Sequence, residues 1–230
     1  MEKKDYWEFL NHVTREMRMP LNEISSCVYE LKEDEYRPSF AEDERVELLC
    51  RLDVSVHKML RMVNMLANVS YYSSVKRVEQ QDHVLVNQFC RELVGEQDVD
   101  VFYKSNVSDE YTLTTNAECL RLLLSILLEQ ASMRVLFRMD ESKESRIFFN
   151  VLGGVEEGKV FFSVSDTGDR PSQEENMTAF FLPTIQRDRP FMMQADLHIC
   201  AQIVSLLGGV IYIDPNYHDG RRVIFEIVRP

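Results

Sequence analysis

The sequence predicts an α+β protein: an N-terminal two-helix hairpin that dimerises as a four-helix bundle, followed by an α/β sandwich. Three observations carry this. Leu10, Val13, Met17, Leu21, Ile24, Val28 and Leu31 recur at intervals of three and four, the period of one apolar helix face. Leu49, Leu52, Val56, Met59, Val63 and Leu66 repeat the pattern after an acidic, proline-bearing break. From residue 82 onward, short alternating runs rich in Val, Phe, Ile and Thr are interleaved with leucine-rich helical runs, as in a mixed sheet covered by helices.

Composition bounds the function. The chain has 230 residues, of which 45% are hydrophobic, enough to build a core. Its net charge of -12 argues against nucleic acid, whose phosphates need clustered Lys and Arg, and against anionic lipid. The five cysteines at 27, 50, 90, 119 and 200 show neither zinc spacing nor a disulfide framework, and read as reduced thiols. No apolar run reaches the roughly 18 residues needed to span a bilayer, and the charged start MEKKDYWEF is not a signal peptide. No membrane contact by this segment is expected. A cytoplasmic location is, either alone or as the cytoplasmic end of a membrane receptor.

The elements follow in order. The first seam predicts a helix over 3–33, with Pro20 inside it removing one backbone donor. KEDEYRPSFAEDER is the connecting loop, and the second seam predicts a helix over 42–73. A two-helix hairpin cannot bury so wide a stripe alone, so a second copy completes the bundle. Residues 1–76 form this module and 77–230 the second domain. There, HVLVNQFC runs from strand into helix, VDVFYKS and EYTLTT are strands, and 117–131 is a helix. RIFFNVL and KVFFSVSD form a hairpin around Gly153, Gly154 and Gly158. A helix over 197–207 stops at Gly208 and Gly209, and VIYIDP with RVIFEIV closes the sheet.

Residues 9–24, FLNHVTREMRMPLNEI, resemble the phosphoacceptor box of two-component sensor histidine kinases, F-L-x-x-x-S-H-E-[IL]-R-T-P-L-N-x-I, with Arg15 at the histidine's place. A neutral imidazole is a nucleophile at cellular pH. A guanidinium is permanently protonated and is not. Glu16 falls where the resemblance puts the base toward the histidine, and here it is expected to pair with the arginine. Arg15 lies off the apolar seam and should be exposed. His12, one turn earlier, is the obvious substitute acceptor, but Val13 follows it where an acid is needed; His57 on the second helix is a weaker candidate still.

The second domain resembles the catalytic and ATP-binding domain of the same family. VSDTG at 164–168 is similar to its first glycine box, which implies that Asp166 accepts a hydrogen bond from the adenine amino group, with Gly168 beside it. ICAQIVSLLGGVIYID resembles the closing helix and strand, and RVIFEIVRP the final strand. The resemblance spans the chain in the right order and implies an α/β sandwich of the histidine-kinase ATPase type.

It implies ATP and Mg²⁺ as well, but the departures fall on the chemistry. Where N-L-L-x-N-A should provide a metal-binding asparagine, the run is Ile126, Leu127, Leu128, Glu129, Gln130, Ala131, and isoleucine ligates nothing. Gln130 replaces the second asparagine. Arg170 replaces a glycine of the first box, and the second box, whose glycines admit phosphates to backbone N–H groups, is opposite Met192, Met193, Gln194, Ala195, Asp196 and Leu197. These side chains are expected to occupy the phosphate cradle as a bulkier loop, in which the Asp196 carboxylate would repel a triphosphate. No metal ligand set and no certain cofactor is assigned; ATP with Mg²⁺ is the group the resemblance leaves open.

The reading is a histidine-kinase-like signal transduction protein, catalytically degenerate, a homodimer acting by contact with a response-regulator receiver domain or a sensor kinase. Two alternatives stand beside it: an active ATP-dependent kinase with an atypical acceptor, and a non-catalytic nucleotide-sensing switch.

Overall fold

The structure, a computed structural model, describes residues 3–36, 41–97, 99–136, 144–154, 159–180 and 191–228. It divides into two compact units, one made by residues up to Ser70 and one by the bulk of the chain from Tyr71 onward.

The first unit is a helical hairpin of α1 (Lys3–Tyr36) and α2 (Glu42–Ser74). Glu42, Asp43 and Glu44 occupy the first turn of α2, where acidic groups complement the exposed N–H ends of the helix. Pro20 lies inside α1 and is buried, which leaves the Glu16 carbonyl without its helical donor. Arg51 Nε donates to Glu23 Oε1 at 2.8 Å, linking the two helices.

The apolar seam divides into two ranks. Val13, Pro20 and Cys27 on α1, and Leu48, Ser55, Met62 and Val69 on α2, are buried at intervals of seven. One position over, Leu21 and Val28, with Leu49, Val56 and Val63, are 36–52% exposed. A seven-residue repeat is the signature of helices that coil around one another.

The second unit contains β1 (Asp82–Leu85), α3 (Val86–Gly95), β2 (Val101–Ser105), β3 (Thr112–Thr115), α4 (Ala117–Leu136), β4 (Ile147–Gly154), β5 (Lys159–Asp166), α5 (Gln173–Thr178), α6 (Phe191–Leu206), β6 (Val210–Ile213) and β7 (Arg222–Val228). β1 and β3 pair antiparallel. The other five strands form a mixed sheet in the order β2-β4-β5-β7-β6, parallel only between β2 and β4. One face of the sheet is core: Ile147, Phe149, Val151, Val160, Phe162, Val223, Phe225 and Ile227 are all buried, while Phe102, Leu152, Val210 and Tyr212 on the opposite face are exposed; β5 is buried on both faces from Phe162 to Asp166. Phe162 and Phe225 face each other in register and stack at 4.8 Å. α4 is buried almost all round, which its leucine-rich sequence requires.

Three elements differ from the sequence reading, the first being α4, which runs on to Leu136, five residues past the expected 131. α5 was not expected, although Ser172 and Glu175 form a reciprocal capping box at its start. α6 begins at Phe191, six residues before the expected start, so 192–196 are helical turns and not the bulky loop foreseen. Without the glycines of the resembled box, FMMQAD carries residues that favour a helix. At the other end, Gly208 has φ +75°, and the N–H groups of Gly208 and Gly209 bond to Ser205 and Val204 carbonyls at 3.1 and 2.9 Å, a Schellman ending. The turn over 155–158 lies outside the described residues.

Candidate functional site

The hairpin carries the first group of expected site residues. Arg15 is exposed, as its place off the seam requires, and its Nη2 lies 2.9 Å from His12 Nδ1. A guanidinium can only donate, so Nδ1 must accept and the imidazole proton sits on Nε2. That nitrogen stands 3.7 Å from Glu16 Oε1. Glu16, expected beside Arg15, thus faces His12 instead: side chains four apart share a helix face, whereas adjacent ones diverge. Burial holds the His12 imidazole below the ordinary histidine value; Glu16 pulls it up and Arg15 pulls it further down. His57 bonds to the Asp53 carbonyl at 2.9 Å on an exposed face of α2.

The second group converges at the ends of β5, α4 and β7. Asp166 is 1% exposed. Its Oδ1 accepts the Gly168 N–H at 2.9 Å and the Arg221 N–H at 3.4 Å. Arg134, in the last turn of α4, places Nε 3.3 Å from Oδ1 and 3.1 Å from Oδ2, and its Nη2 donates to the Asp169 carbonyl. Arg221 Nε is 4.0 Å from Oδ2, beyond hydrogen-bond reach. Burial, then the Arg134 charge, bring the Arg221 guanidinium down to about 10, against the pull of Asp166.

Gln130 is fully buried. Its Nε2 donates to Asp196 Oδ2 at 3.0 Å, and its Oε1 accepts from Arg221 Nη2 at 3.5 Å. Asp196, expected to stand in the phosphate cradle, is a buried side chain of α6. Ile126 is buried, and Glu129 and Arg170 are exposed. Asp166, Gly168 and Gln130 therefore belong to one network, and Arg15 and Glu16 to another in the hairpin unit.

Sequence reading missed Arg134 and Arg221, which complete that network. Neither sits in a motif, and Arg221 contacts partners 55 and 91 residues away. The signal for α5 was present as the run Ser172 to Glu175.

Among the described residues, no group of three or more His, Cys, Asp or Glu side chains is placed to hold a metal ion. No helix among the described residues is long and apolar enough to cross a membrane. The cysteines are free thiols, buried except for Cys50, and burial pushes Cys90 up to about 12.

No protein-family model matches the chain, and neither does any curated protein. Solved structures do. The histidine kinase ThkA, in complex with the response regulator protein TrrA, is similar with a TM-score of 0.72 at 17% identity, covering 97% of this chain and 61% of that one. The Acinetobacter baumannii histidine kinase AdeS is similar with a TM-score of 0.65 at 12% identity, covering 93% and 97%. Full-length ShkA in complex with AMPPNP follows with a TM-score of 0.62 at 17% identity over 95% of this chain. The chain spans 45% of ShkA's length. The fold is therefore that of the sensor histidine kinases, a helical hairpin followed by a mixed α/β domain.

Proposed function

We propose that this chain is a signal transduction protein of the histidine-kinase type that has kept the fold and lost phosphotransfer, and that works through protein contacts in a two-component pathway. The observation that carries the reading is the engagement of every expected catalytic group by another side chain of the chain itself. Asp166 is held by Arg134, Gln130 by Asp196 and Arg221, and the acceptor position is Arg15, donating to His12. The residues present do not fit a magnesium-bound triphosphate: Ile126 has no ligand atom, and α6 begins with side chains instead of a glycine loop.

His12 does not restore the reaction. With Nδ1 accepting from Arg15 and the proton on Nε2, neither nitrogen has a free lone pair for attack.

Residues 1–76 are proposed as the dimerisation module and 77–230 as the ATPase-like module. Support for a homodimer comes from the exposed rank of Leu21, Val28, Leu49, Val56 and Val63, which a second hairpin would cover. A receiver domain is the proposed partner, with a sensor kinase as the other candidate. ThkA is seen in complex with its response regulator, and the exposed Arg15 cation suits a receiver's acidic pocket. The proposed location is the cytoplasm.

The test is incubation of the purified chain with γ-labelled ATP and Mg²⁺. The reading expects no acid-labile label on the protein; stoichiometric labelling would contradict it.

A further inference from the structure

A buried carboxylate whose two oxygens are covered by a cation from inside the chain does not present that edge to a ligand. Asp166 offers two oxygens. Oδ1 takes two backbone N–H groups, from Gly168 and Arg221, and Arg134 Nε lies across both oxygens at 3.3 and 3.1 Å. Arg134 also closes the far side of the segment by donating to the Asp169 carbonyl. One side chain from the end of α4 thus ties down both the start and the end of the run from 166 to 169.

The neighbouring glycines are explained by the same packing. A Cβ on Gly168 would meet the Arg134 carbonyl at 2.8 Å and Asp166 Oδ1 at 2.9 Å. A Cβ on Gly220 would come within 2.1 Å of the Asp166 carbonyl. Survival of Gly168 in the D-T-G run therefore needs no phosphate or base beside it. The close approach of α4 and β5 is sufficient.

We propose that Arg134 is an internal occupant of the purine position: its guanidinium takes the donor place on Asp166 that a purine amino group would need, and so excludes adenine nucleotides from the domain. The inference rests on reading Asp166 as the adenine-facing carboxylate of a degenerate site. Chemistry favours the arginine. A planar guanidinium presents N–H donors as an aminopurine edge does, but with a full charge, and charge-assisted hydrogen bonds are roughly twice as strong as neutral ones. The competitor is also tethered, so a free purine meets a site whose open form is scarcely populated.

The experiment is calorimetric titration of adenosine, and separately ADP, into the full chain and its variants, with folding checked by circular dichroism. The wild type is expected to show no saturable binding at millimolar ligand. Arg134→Ala is expected to gain affinity for adenosine by about tenfold or more, and adding Asp166→Asn to that variant is expected to abolish the gain. Arg134→Met, which keeps the length of the side chain, guards against a cavity that unfolds the alanine variant. Arg134→Lys, which retains the charge but lacks the second nitrogen that reaches the Asp169 carbonyl, is expected to gain weakly should the other two fail to fold.

Folded Arg134 variants that bind no better than wild type would overturn the proposal while leaving the loss of phosphotransfer standing. Tight adenosine binding by the wild type would overturn it too. Label transfer from ATP to the wild type would instead overturn the reading on which it rests.

Discussion

Gln130 donates to Asp196 across 3.0 Å in the interior of the α/β unit, joining the middle of α4 to the second turn of α6. Both groups are buried, so the Gln130 donor relies on the Asp196 carboxylate. Asp196→Ala strands the Gln130 donor and is expected to lower unfolding free energy by about 1–3 kcal/mol. Asp196→Asn, which keeps an acceptor, should lose less. Urea denaturation followed by circular dichroism distinguishes them, and equal losses would contradict a role for the hydrogen bond.

Asp166 balances two guanidiniums, Arg134 at 3.1 Å and Arg221 at 4.0 Å. Asp166→Ala leaves the buried Arg221 and the half-buried Arg134 without their shared counter-charge, and its expected cost is about 3 kcal/mol. Arg134→Ala should cost less, because Asp166 keeps Arg221 and two backbone donors. A reversed order in chemical denaturation would show that the carboxylate is not the centre of the network.

Two adjacent glycines should respond differently. Gly208 has the positive φ of a helix ending but open space around it, so Gly208→Ala is expected to cost about 1–2 kcal/mol from the left-handed backbone alone. At Gly209 a Cβ would lie 2.0 Å from the Glu226 carbonyl. Gly209→Ala must therefore displace backbone of β7, and its melting temperature should fall well below that of Gly208→Ala.

His198 gives the stability a pH dependence. Its Nδ1 donates to the Phe180 carbonyl at 3.0 Å. Burial nevertheless lowers the imidazole from its ordinary 6.5, the backbone bond opposing this only in part. The unfolded chain then binds a proton more readily than the folded one, so stability is full above pH 6.5 and falls as pH drops through the lower folded value. Comparing unfolding curves at several pH values for wild type and His198→Gln checks this; the variant should show the shallower decline.

The exposed rank on the hairpin predicts its own test. Leu49→Glu combined with Val56→Glu places charges where a second copy would pack, and light scattering after size exclusion should read a dimer for wild type and a monomer for the variant. A monomeric wild type would remove the four-helix bundle from the account.

The helices of the hairpin were legible to within three residues, 3–33 against Lys3–Tyr36 and 42–73 against Glu42–Ser74, because their period is long and local. Which rank of the seam a single chain buries was not, since Leu21 and Pro20 differ by one position and only the partner helix decides between them. In the α/β unit every strand was readable from alternation and turn residues. The occupant of the site was not, because a pair such as Arg134 with Asp166 is made by helix ends and strand ends meeting across 32 residues of sequence. Asp196 read as a repulsive charge in a loop; packing made it a buried acceptor on a helix.

The central claim, that the chain's own side chains have replaced nucleotide and phosphoacceptor, is tested most directly by phosphoryl transfer in the variant that restores the missing histidine. Arg15→His, incubated with γ-labelled ATP and Mg²⁺, returns the nucleophile to the helix but leaves Arg134 on Asp166 and Ile126 in place of a metal ligand. The account predicts that it stays unlabelled. Acid-labile phosphate accumulating on that variant would contradict it, because ATP would then be bound and positioned by a site whose carboxylate Arg134 already covers.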